Sequence, residues 1–79
     1  MEYVLSTAVR VSPGDTLLLR SSLPLGFMRQ NQLSIIDAVG GHPLSSEWRA
    51  VEGDPHQVAF LIRKGGKARA IRVTDDSDI

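Results

Sequence analysis

The chain contains no cysteine. That one absence removes disulfide scaffolds, thiolate metal centres, cysteine nucleophiles and thiol redox chemistry. Net charge is missing as well: nine Lys and Arg balance nine Asp and Glu. The molecule therefore lacks the global field that steers basic proteins to nucleic acid or anionic membranes. No unbroken apolar run approaches the ~20 residues that span a bilayer, and Met1-Glu2-Tyr3 does not open like a signal peptide. The expectation is a cytoplasmic protein with no membrane contact.

What is present suffices for one compact core. Of the 79 residues 42% are hydrophobic, too many for a disordered chain. A domain of this length buries only about 60–65% of its unfolded surface, so self-association into a homodimer is one way to cover more. Residues 1–74 read as a single domain. Residues 75–79, with Asp75, Asp76 and Asp78, read as an acidic, solvated tail.

Residues 3–12 alternate with the period of a half-buried strand, Pro13-Gly14-Asp15 breaks the pattern, and 16–23 return as a second strand expected to pair with the first. Beyond Pro24 and Gly26, the residues Met28, Gln32, Ile35, Ile36 and Val39 fall on one helical face, with Gly40-Gly41 and Pro43 as a stop signal. A strand through 33–39 is the competing reading. A short strand around Trp48 follows, then a turn at Gly53-Asp54-Pro55. Strands 57–63 and 67–74 are expected to form a hairpin about Gly65-Gly66, with Phe60 facing Ile71 and Val58 facing Val73. The predicted fold class is α+β: an antiparallel sheet of about five strands with one helix on one face, in the order ββαβββ.

Two groups of residues are candidate contact surfaces. Arg63, Lys64, Lys67, Arg69 and Arg72 fall in ten residues, and no acid occurs between Asp54 and Asp75. On a hairpin they would form a basic face for phosphate or an acidic protein. The same cations serve equally as edge protection, and the hairpin's one aromatic, Phe60, belongs to the core face rather than to a stacking platform. The second group is apolar: Leu25, Phe27 and Met28 around the Pro24/Gly26 break, with Trp48 as an anchor. Leu18 is a further surplus apolar residue, on the opposite strand face from Leu17 and Leu19.

Catalytic signatures are weak. His42 and His56 sit beside turn prolines, and Glu52, Asp54 and His56 lack the distant ligand pair a metal site needs. Ser45 or Ser46 with His42 and Asp37 would crowd a triad into ten residues, with no GxSxG elbow. No glycine pattern cradles phosphate, and no cofactor is implied. The expected function is therefore non-enzymatic: an accessory, adaptor or inhibitor protein working by contact with a protein partner. The alternatives are a nucleic-acid-binding protein that uses the Gly65-Gly66 hairpin, or a mobile-element-encoded inhibitor of a nucleic-acid-processing machine.

Overall fold

The computed structural model describes residues 1–44 and 46–74. Among these residues, six strands build two three-stranded antiparallel sheets. They are β1 (Glu2–Val11), β2 (Thr16–Arg20), β3 (Leu33–Asp37), β4 (Ser46–Val51), β5 (Asp54–Ile62) and β6 (Gly66–Val73). The first sheet has the order β1-β6-β3 and the second β2-β5-β4. Their inner faces meet in one core, with Leu33, Ile35, Ala68, Ile71 and Val11 from the first sheet and Trp48, Val58, Phe60 and Ile62 from the second.

The α+β expectation is overturned: among the described residues there is no α-helix. Single 3-10 turns at Leu25–Phe27 and Gln30–Gln32 lead into β3 instead. A helix over 28–39 would carry Gln32 and Val39 inward and leave Leu33 outside. As a strand, the segment buries Leu33 and Ile35 in the core, and the β-branched Ile35-Ile36 pair favours that conformation. Gln32 works at the surface, where its Oε1 accepts the Arg29 N–H at 2.8 Å and its Nε2 donates to the Thr74 carbonyl at 3.2 Å.

Neither expected hairpin forms. The turn at Pro13-Gly14-Asp15 is present, with the Asp15 carboxylate accepting the Ser12 N–H at 2.8 Å. It carries the chain from one sheet to the other, so β1 pairs with β6 and β2 with β5. Likewise β5 and β6 do not pair, and Phe60 faces Leu17 and Trp48 rather than Ile71. Gly65 and Gly66 both lie outside the positive-φ region that a type I′ turn requires. They serve close approach: a Cβ on Gly66 would stand 2.6 Å from Leu44 Cδ2, and one on Gly65 would stand 3.0 Å from the Val11 carbonyl. The Gly-Gly pair that does turn the chain back is Gly40-Gly41, at φ 79° and 69°. It returns residues 42–44 along β3, with the Asp37 N–H on the His42 carbonyl and the Leu44 N–H on the Ile35 carbonyl, both at 2.8 Å. Splitting neighbouring strands between two layers buries apolar residues from both sheets against each other, which one sheet and a polar-faced helix could not do.

β6 is the central strand of its sheet and carries a bulge at Arg69. Both flanking strands skip that residue: Val4 and Ile36 pair with Ala70, while Val9 and Asp37 pair with Ala68. The extra residue resets the alternation, so that Ala68 and Ile71, three apart, both face the core. Opposite Arg69, residues 5–8 of β1 have no partner in the register.

Candidate interaction site

The bulge decides where the predicted cations go. Arg69 Nη1 reaches Glu2 Oε1 at 3.2 Å, and Arg72, which pairs with Glu2 across the ladder, reaches Oε2 at 3.1 Å. Both guanidiniums are thus bound on the outer face of the first sheet. The Arg72 hydrogen bond, aided by the charge of both arginines, holds the Glu2 carboxyl below its ordinary range. Arg63 lies on the second sheet's side, where it meets Glu47 at 2.8 Å. The five cations consequently do not form one face. Among the described residues Lys64 and Lys67 make no ion pair, and a residue the sequence argument left out joins them: Arg10, directly opposite Lys67. Arg10, Lys67, Gly65 and Gly66 line a shallow basin of about 420 Å³ with Asp37. The Asp37 Oδ1 is taken up by the N–H groups of Lys67 and Val39, at 3.2 and 3.3 Å.

The apolar group separates as well. Leu25 is 3% and Trp48 4% exposed, and Met28 packs half-buried against the core. The Trp48 indole N–H is satisfied by the Gln30 carbonyl at 3.0 Å. Phe27 alone stands out, 79% exposed, beside a hollow formed by Ala50, Val51 and Pro55.

The geometry points to a different surface, the flank between β1 and β2. These two strands are edges of different sheets, and a groove of about 350 Å³ opens between them, lined by Tyr3, Leu5, Val9, Leu19, Leu25 and Ile71 among others. Among the described residues β2 has no neighbouring strand on this side. The Ser21 N–H donates to the His56 carbonyl, and the Asp15 carbonyl accepts the Ile62 N–H, both at 2.8 Å. These bonds set the odd residues of β2 toward β5. By the alternation of an antiparallel ladder, the N–H and C=O groups of Thr16, Leu18 and Arg20 then point out from the open edge.

The other edges are guarded. β1 is interrupted at residues 5–8, which fall out of its register, β3 is covered by residues 42–44, and β4 carries Glu47 and Arg49. β2 reads Thr-Leu-Leu-Leu before its first charge, with Leu18 58% exposed on the outer face. The sequence signal for this surface was the surplus Leu18. What could not be read was that β2 would lie at an edge.

The two histidines are exposed. His56 Nδ1 lies 3.1 Å from the Ser21 carbonyl. The Asp54 carboxylate accepts the His56 N–H at 3.0 Å and the Gln57 amide at 2.9 Å, which lowers its pKa, the His56 N–H being the largest cause. Ser45 and the acidic residues 75–79 lie outside the described residues. Among the described residues, no three His, Asp or Glu side chains gather as a metal site, and no helix is long and apolar enough to cross a membrane. The chain matches no protein-family model, no curated protein and no solved structure.

Proposed function

We propose that the chain is a non-enzymatic interaction module that works by protein–protein contact, with the open flank between β1 and β2 as its contact surface. The observation that carries this reading is the pairing of two features: an unguarded edge strand, and an apolar groove running beside it. An incoming polypeptide strand would satisfy the outward groups of Thr16, Leu18 and Arg20 by ladder hydrogen bonds and place apolar side chains over Leu19 and Leu25. The test is amide hydrogen exchange of the chain with and without an extended peptide selected for binding. Protection gained at Thr16, Leu18 and Arg20 supports the reading. Protection confined to the faces around Arg72 or Phe27 removes it.

A second reading, nucleic-acid binding, is favoured by Arg10 and Lys67, which face each other across the β1–β6 ladder and have no carboxylate partner among the described residues. It differs from a basic hairpin finger, because Arg63, Arg69 and Arg72 are tied to carboxylates. It predicts binding whose logarithm falls with the logarithm of salt by about 0.9 per phosphate contacted. Indifference of any retained complex to salt would exclude it.

A further inference from the structure

We propose that the strand accepted by the open edge is β2 of a second copy of this chain, paired antiparallel about a two-fold axis at Leu18. The inference rests on the reading of the β1/β2 flank as the contact surface and names its occupant.

Three observations carry it. The first is hydrogen-bond parity. Thr16, Leu18 and Arg20 are the residues whose backbone groups point outward. In a two-fold pairing centred on Leu18, these same three meet one another. Leu18 exchanges both its bonds with Leu18 of the partner subunit, and Thr16 exchanges both with Arg20 of the partner subunit. Every outward group finds a partner, whereas a one-residue slip would oppose outward groups to inward ones.

The second is side-chain complementarity. The five residues Thr16, Leu17, Leu18, Leu19 and Arg20 are symmetric in apolar character about their centre. On the outer face, exposed Leu18 meets its own copy. On the inner face, Leu17 meets Leu19 of the partner subunit and extends the apolar row that already packs against the core. Two-residue slips lose this match: one sets Leu18 against Arg20 of the partner subunit, and the other sets Leu18 against Thr16 of the partner subunit.

The third is charge. With nine cations against nine anions, no net repulsion opposes association. The product is one continuous six-stranded sheet, β4-β5-β2 followed by the partner's β2, β5 and β4. The docked strands would close one side of both grooves.

The test uses charge pairing at the axis. Leu18 is exposed, so Leu18→Lys and Leu18→Glu leave the core intact. Circular dichroism and a thermal melt check that each folds as the parent does. By sedimentation velocity from about 1 µM to about 1 mM, the parent chain shifts from monomer to dimer. Each variant alone is shifted toward monomer, its dissociation constant raised about tenfold or more. An equimolar mixture of the two recovers the dimer.

A second measurement uses the absence of native thiols. A hydrogen-bonded antiparallel pair has Cα atoms about 5.5 Å apart, within disulfide range. Leu18→Cys therefore oxidises to a covalent dimer, while Val39→Cys at an exposed loop tip does not.

A dimer indifferent to both charges, or cross-linked equally through residue 39, overturns the proposal. A parent that stays monomeric but binds a selected strand peptide at β2 overturns self-pairing and leaves the contact-surface reading standing. A monomer that binds no strand overturns both.

Discussion

Arg10 and Lys67 stand directly opposite each other across the β1–β6 ladder. Like charges at facing positions of an antiparallel pair repel. Neither has a carboxylate partner among the described residues. Lys67→Gln should therefore stabilise the fold, by about 0.2–1 kcal/mol, seen as a rise in the urea midpoint at unchanged slope. The same variant should weaken any binding to nucleic acid. Loss of stability would show that the pair is held by contacts other than those described.

Glu2 binds two arginines at once, and its carboxyl is held below the ordinary value of 4.5, chiefly by the Arg72 hydrogen bond. Asp54 is held below 3.8, chiefly by the His56 N–H. A group whose folded pKa is depressed contributes stability that is fully present above its unfolded pKa. That contribution is lost as pH falls through the folded value. Urea midpoints should stay level from neutrality down to the ordinary carboxylate range and decline below it. Glu2→Gln should lower the neutral plateau and make the acid decline shallower, because one of the linked protons is gone.

Trp48 is buried, with its indole N–H on the Gln30 carbonyl at 3.0 Å. As the only tryptophan, it should give blue-shifted emission that moves red on unfolding. Trp48→Phe keeps most of the packing and removes the bond, with an expected loss of about 0.5–1.5 kcal/mol. Phe60→Ala empties the centre of the core and should cost about 3–5 kcal/mol, a large share of the stability of so small a domain. Equal effects of the two substitutions would contradict the described packing.

Leu25 and Phe27 are two residues apart and opposite in burial. Leu25→Ala should cost about 2–5 kcal/mol, whereas Phe27→Ser should stay within about 0.5 kcal/mol of the parent. Thermal melts of the two variants separate the residue that plugs the core from the one that faces water.

Gly66 admits no side chain without displacing Leu44, since an added Cβ would lie 2.6 Å from Leu44 Cδ2. Gly66→Ala is expected to cost about 1–3 kcal/mol as the buried leucine moves. A Gly66→Ala variant as stable as the parent would show that the crossover adjusts freely.

Much of the strand content was legible, because alternation in 3–12 and 57–63 is a local property of the chain. Turns at Pro13-Gly14 and Gly53-Asp54 were legible for the same reason. Partners were not. Two consecutive strands with a turn between them fit a hairpin and a step between sheets equally well, and only the joint burial of Phe60 with Leu17, Trp48 and Ile35 chooses the second. Residues 28–39 were read by helical periodicity because Met28, Ile35, Ile36 and Val39 fit it. The 3-10 turns before Leu33 shift the phase, and Val39 ends at a loop tip, 76% exposed. The site followed the same rule. The five cations were visible as a cluster along the chain, but Glu2, some 70 positions away, neutralises two of them. Leu18 was visible as a surplus residue, yet its meaning depends on β2 being an edge.

The chain's first strand and its last are neighbours, with β6 between β1 and β3 and the Met1 amino group donating to the Val73 carbonyl at 3.2 Å. Everything in that sheet therefore waits on the final strand. During synthesis β1 and β3 emerge without the strand that joins them, while β2, β4 and β5 already hold all the pairings of the other sheet. One layer can assemble while the chain is still growing; the other forms only when β6 slides in between two waiting edges. Closure over so long a loop places folding toward the slow end for a domain of this size, on a timescale of roughly milliseconds to seconds.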